Sequence, residues 1–193
     1  MSEIAHVQEP QLQQCIDLFS AAQPTASQIC GDLSEEQFNW RAHPGEWSVG
    51  QCIDHLTKLG NIVLPHLAQA VDEGRAHGPF GKGPFTYNLF SRFFVKAVGP
   101  RKNLAKGRTK APAIYVPDKA HEPVATLDAF ISLQRELIAC AQKADGLHLK
   151  RIKVASPVTR LIRVSLGAWF EALALHQLRH FEQANDVRAK MGL

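Results

Sequence analysis

A chain of 193 residues that is 45% hydrophobic can bury a substantial core as a single domain, 1–193, and requires no second one. Its apolar runs are broken by charges well short of the ~20 residues that cross a bilayer, and no basic flank with an apolar block opens it, so a soluble, cytoplasmic protein with no membrane partner is expected. The net charge of +4 is divided unevenly: residues 92–119 carry +7 and residues 150–163 carry +5, which leaves −8 for the rest and makes either a solvated basic surface or a mouth that attracts anions.

The first helix is expected from Pro10 to about Ala22, with Leu12, Cys15, Ile16 and Phe19 at helical spacing. Pro24 should kink or interrupt it, with Thr25 to Asp32 as a second piece. A short turn with a Ser34/Gln37 capping box follows, then a turn at His43, Pro44 and Gly45. Ser48 caps the second helix, Trp47 precedes it as a staple, and Val49, Cys52, Ile53, Leu56, Leu59, Val63 and Leu67 form its apolar stripe. That helix is expected to run to about Glu73, bent at Pro65 and stopped by Gly74.

From Arg75 to Pro123 glycines and prolines break the pattern, apart from a stretch between Phe85 and Val98 with helical character. Such a long connection is unusual in a compact domain and signals a binding loop, a lid or disorder. Phe80, Phe85, Tyr87, Phe90, Phe93 and Phe94 argue against disorder and are expected to pack the crossover on the body. Thr126 is expected to cap the third helix, which carries Leu127, Phe130, Ile131, Leu137, Ile138 and Ala141 and ends at Gly146. A linker from Leu147 to Val164 leads to the fourth helix, Leu166 to Lys190. Cys15, Cys30, Cys52 and Cys140 have no CxxC spacing, which excludes a zinc ribbon; Cys15, Cys52 and Cys140 read as core fillers.

The fourth helix carries the chemistry. His176 and His180 stand one turn apart on one face, within reach of a single ion. Leu166, Trp169, Leu173, Ala184 and Val187 share that face, so both imidazoles point into the core, where each ring nitrogen needs a partner. Core histidines bonded to carbonyls or carboxylates are the plain alternative. Four amphipathic helices with one long connection suggest an all-α four-helix bundle, in which facing helices build metal sites. If the second and fourth helices are neighbours, His55 supplies a third nitrogen. His43, His66, His77, His121 and His148 sit in loops or out of range.

The residues Glu46 to Leu56, with a Trp-Ser cap and a histidine several residues into the helix, read with the His176 to Gln183 segment, resemble the DinB-like superfamily, also called DinB/YfiT. The resemblance implies a four-helix bundle in up-down-down-up order with a long crossover between helices two and three. It also implies one divalent ion held by His55, His176 and His180, and often a homodimer. Relatives use the ion to join low-molecular-weight thiols to electrophiles, or in thiol-dependent isomerisation; a related domain helps bind iron in sulfoxide synthases, an activity disfavoured here because the chain has no second domain of that type.

Three imidazoles leave open positions, as in catalytic zinc sites, and a dication there lowers the pKa of bound water or holds a thiolate. The expected reading is a metal-dependent enzyme, thiol-transferase-like or hydrolase-like, acting on a small substrate such as a low-molecular-weight thiol or an anion. The alternative is a non-catalytic, metal-stabilised bundle that binds a partner through its basic linker, 75–123. Zinc or nickel is favoured over iron or manganese. Among neighbouring residues, Asp54 is expected to face solvent and Arg179 to form a surface pair. Gln183 is placed to polarise a ligand or cap the core, and Glu182 lies on the wrong face for a ligand. Nucleic acid is disfavoured, since no aromatic-interleaved or recognition-helix pattern accompanies the charge.

Overall fold

The computed structural model describes residues 7–100, 111–159 and 161–193. These residues are mostly helical: α1 (Pro10–Cys30), α2 (Glu35–Asn39), α3 (Val49–His77), α4 (Leu89–Val98), α5 (Pro123–Lys143) and α6 (Leu166–Met191), with a two-stranded antiparallel sheet of β1 (Lys153–Ala155) and β2 (Arg163–Ser165). A 3-10 turn occupies Ala113–Tyr115.

Local chemistry sets most boundaries. Pro10 sits in the first turn of α1, where the missing N–H costs nothing. Pro24 does not interrupt the helix as expected: α1 runs through it in one piece to Cys30. The hydroxyls of Thr25 and Ser27 bond back to the Ala21 and Gln23 carbonyls around the proline, at 2.7 and 3.1 Å. Both capping boxes form. In α3 the Ser48 hydroxyl accepts from Gln51 N–H and the Gln51 side chain accepts from Ser48 N–H, each at 3.1 Å.

Three expected boundaries shift. Gly74 does not stop α3; it is buried in the helix against Leu147 and Ile152, and the helix is capped by Gly78, whose φ of 74° is one that glycine adopts without strain. The N-cap of α5 is Glu122, not Thr126: its carboxylate accepts from the Val124 and Ala125 N–H groups, and Pro123 opens the helix. Gly146 lies beyond the end of α5. The linker before α6 holds the small hairpin, pairing Val154 with Val164; strands of three residues are too short to show an alternation.

The long helices pack in a defined pattern: α1 and α3 each lie against both α5 and α6. Contacts near their ends orient them. Arg188 at the end of α6 holds Asp32, just past the end of α1, at 2.6 Å, while Lys190 reaches Glu46, just before α3, at 2.9 Å. Gln8 N–H, ahead of α1, reaches Asp145, just past α5. Gly60 of α3 faces Leu133 of α5 and Gly74 faces Leu147, just past the end of α5, so the two segments advance by the same number of residues in the same direction. Phe19, Phe130 and Phe170 of these helices are fully buried, as is Phe38 of α2 against Gly50.

The crossover is partly packed as expected. Phe85 and Tyr87 are buried, and Phe94 meets Trp169 edge to face with centroids 4.9 Å apart. Phe80, Phe90 and Phe93 instead face solvent. Among the described residues no helix is long and apolar enough to cross a membrane.

Candidate metal centre

His55 stands in the second turn of α3, and His176 and His180 are on α6, which packs against it. The helix periodicity that buries the stripe around Ile53 and Leu173 carries all three imidazoles inward, with His55 3% and His180 5% exposed. Their ligating nitrogens lie within 4.8 Å of one another. The Nε2 of His176 is 3.1 Å from that of His55 and 3.1 Å from that of His180. The other candidate histidines are elsewhere: His121 Nε2 meets the Asp118 carbonyl at 3.0 Å, His77 bonds within its own helix, and His148 packs on Phe85.

The proton inventory of the cluster is informative. His55 Nδ1 is 2.7 Å from the Tyr115 carbonyl and His176 Nδ1 is 2.8 Å from the Val98 carbonyl. A carbonyl only accepts, so both Nδ1 atoms donate, and in the neutral ring both Nε2 atoms then present lone pairs. These lone pairs face each other at hydrogen-bond distance with no proton between them. His180 can donate to one of them at most, and its own Nδ1 is buried without a hydrogen bond. Converging nitrogen lone pairs with no proton between two of them fit a cation held by the three histidines.

The electrostatics agree. Burial holds all three imidazoles below their ordinary pKa, pushing His176 down to about 4, with His180 well below its usual value and His55 lowered. The Arg179 guanidinium adds to the effect on all three, and the neighbouring imidazoles add to it on His176 and His180. They are therefore neutral near pH 7, the form that binds metal.

The surroundings combine expected and unexpected parts. Trp47 stacks on His180 with centroids 5.7 Å apart and lies 4.7 Å from His55, so the helix staple also walls the cluster. Gln183 adjoins His180 and favours its protonation, although Nδ1 makes no well-formed hydrogen bond. Glu182 is exposed, as expected. Arg179 Nη1 meets the Ala97 carbonyl at 3.5 Å. Asp54 departs from the solvent-facing expectation: its Oδ2 accepts from Asp118 N–H at 2.9 Å and lies 3.5 Å from Lys58. Together with the mutual Asn39–His121 hydrogen bonds at 2.8 Å, it ties the end of the crossover to the end of α2 and the start of α3.

Sequence reasoning missed the two carbonyls of Val98 and Tyr115. A backbone carbonyl leaves no signature in residue type; the only hint was the long, aromatic-rich connection that both belong to. Of the segment expected to form either a solvated basic surface or an anion-attracting mouth, Arg92 and Lys96 line a cleft of about 490 Å³ between α4 and α6, with Leu89, Phe93 and Glu171. Arg101, Lys102, Lys106, Arg108, Lys110 and Arg160 lie outside the described residues. All four cysteines are buried and unpaired, and burial pushes the thiols of Cys15, Cys30 and Cys140 up to about 12 and that of Cys52 higher still.

No curated protein and no solved structure gives a significant match to this chain. The family model of the DinB superfamily matches residues 18–184, from the middle of α1 through the histidine pair of α6. With the Trp-Ser cap, His55 and the His176/His180 pair brought to one point, the chain belongs to the DinB superfamily.

Proposed function

We propose that this protein is a metal-dependent enzyme of one domain, in which His55, His176 and His180 hold a divalent ion that activates a thiol or water against a small substrate. The observation that carries the reading is the convergence of three neutral imidazoles, two of which, His55 and His176, face each other with Nε2 lone pairs that have no proton between them. Zinc or nickel suits such a nitrogen set best, with iron or manganese also compatible. When bound, the ion supplies a Lewis acid that favours the deprotonated form of a thiol or water at neutral pH.

The chain's own residues do the rest. The Tyr115 and Val98 carbonyls fix the tautomer and the plane of two imidazoles, so that Nε2 is the ligating atom. Trp47 excludes water from the faces of His55 and His180. Arg179 places a positive charge beside the cluster, which favours an anionic nucleophile over a cationic one. The nucleophilic thiol comes from the substrate, since every cysteine of the chain is buried with a raised pKa.

The four long helices are read here as the up-down-down-up bundle of the family. The shared end of α1 and α6 at Asp32–Arg188, the opposed ends at Glu46–Lys190 and Gln8–Asp145, and the parallel advance of α3 and α5 support that order. A homodimer is part of the same proposal and rests on the family alone.

The test is consumption of a low-molecular-weight thiol with a panel of electrophiles by the metal-loaded protein, beside hydrolysis of small amide and ester substrates. Turnover lost in His176→Ala is expected. Full turnover in a metal-free His176→Ala variant contradicts the proposal. A second reading, in which the ion only pins α3 to α6 and the basic linker binds a partner, is favoured by the depth of the cluster; it predicts unchanged partner binding in the same variant.

A further inference from the structure

The crossover helix α4 presents two different faces. Its inner face is well used: Ser91 and Val95 are buried, and Phe94 packs on Trp169. Its outer face exposes Leu89 at 81% and Phe93 at 68%, one helical turn apart, with Phe90 exposed beside them. Arg92 and Lys96, also one turn apart, flank that apolar stripe. The helix is therefore a short amphipathic element whose apolar side faces water and whose margin is cationic.

A second element repeats the combination. The β1–β2 hairpin packs on α4, where Ser165 N–H donates to the Ser91 hydroxyl at 3.3 Å. Leu161, in the connection between its strands, is 95% exposed, and Val158 and Ile162 are exposed beside it. Arg151 and Arg163 supply exposed charge at this hairpin. These two elements overlap the segments 92–119 and 150–163, which hold +7 and +5 in a chain whose remainder is −8. Among the described residues, the most exposed large apolar side chains, Leu161, Leu89 and Phe93, thus lie on elements that also carry exposed Arg92, Lys96 and Arg163.

We propose that the outer face of α4, seconded by the hairpin connection, docks on an anionic lipid bilayer surface. Leucine and phenylalanine side chains enter the boundary between headgroups and acyl chains, while Arg92 and Lys96 extend to the lipid phosphates above them. The helix is already folded against α6, so docking orders no new backbone. A second copy of this chain fits less well, because apposing two such faces brings Arg92 and Lys96 of one copy against those of the other. The expectation of no membrane partner rested on the lack of a spanning segment; surface docking needs none.

The experiment is co-sedimentation of the full chain with phosphatidylcholine vesicles and with vesicles that also contain phosphatidylserine, at low and high salt. Binding to the anionic vesicles, little to the neutral ones, and release by salt are expected. Leu89→Ser with Phe93→Ser, and separately Arg92→Glu with Lys96→Glu, should each lower binding about tenfold or more. Both pairs are on the surface, and circular dichroism together with the thermal midpoint confirms the fold. Absence of binding to anionic vesicles overturns the proposal, as does equal binding by either folded double variant. Self-association that depends on Leu89 and Phe93 without lipid binding, or selective binding of an acidic protein, overturns it as well.

Discussion

Each imidazole of the cluster is defined by what its other nitrogen does. Because Tyr115 and Val98 take the Nδ1 protons of His55 and His176, the two Nε2 lone pairs are committed to the centre. Burial then makes protonation of the site costly, and the sign of the pH dependence follows. His176 has an ordinary pKa of 6.5 and is pushed down to about 4 in the fold. Between those values the unfolded chain binds more protons than the folded one, so metal-free protein loses stability as pH falls through that window, and the contribution is fully present above 6.5. Urea midpoints measured at pH steps across this range should show a steeper fall for the native chain than for His176→Gln. The His55, His176 and His180 pattern was legible in the residues themselves, since i and i+4 spacing on a buried stripe is a direct consequence of helix geometry. The carbonyl partners were not, because they belong to the backbone of a segment whose path no periodicity reveals.

The helices that carry the histidines are set by their ends. Ser48 and Gln51 close the start of α3 and so fix the rotation at which His55, seven residues after the cap, enters the core. Ser48→Ala is expected to cost about 1 kcal/mol of folding stability, read as a lower denaturant midpoint, with metal stoichiometry retained. Leu133 on α5 fills the space opposite Gly60 of α3 and is 2% exposed. Leu133→Ala is expected to cost about 2–5 kcal/mol by opening a cavity, again without altering the ligand set. Cap chemistry made the starts of α2 and α3 readable in advance. The ends were harder: Gly74 looks like a stop because glycine usually ends helices, yet here its missing side chain admits Leu147 and Ile152. Glu122 displaced Thr126 as the cap of α5 because Pro123 was already suited to the first turn.

Across the molecule, the centre joins α3, α6 and both described flanks of the crossover, so an ion there restrains four segments at once. Metal at about a hundredfold excess over its Kd should add about 2.7 kcal/mol to stability, or roughly 5–10 °C in Tm for a chain of this size. The gain should vanish in His55→Ala, as scanning calorimetry with and without chelator will show. The four long helices were visible in the sequence because each repeats apolar residues over many turns; the hairpin was not, because three-residue strands carry no period. The exposed face of α4 escaped notice for a related reason: Phe90 and Phe93 are apolar whether they face the core or water, and only the packing tells which. The most direct measurement is elemental analysis of protein purified without added metal or a histidine tag, beside His55→Ala and His176→Ala. The account predicts about one divalent ion per native chain and none in either variant; a native protein that holds no ion even after reconstitution, or variants that keep it, would contradict the three-histidine centre.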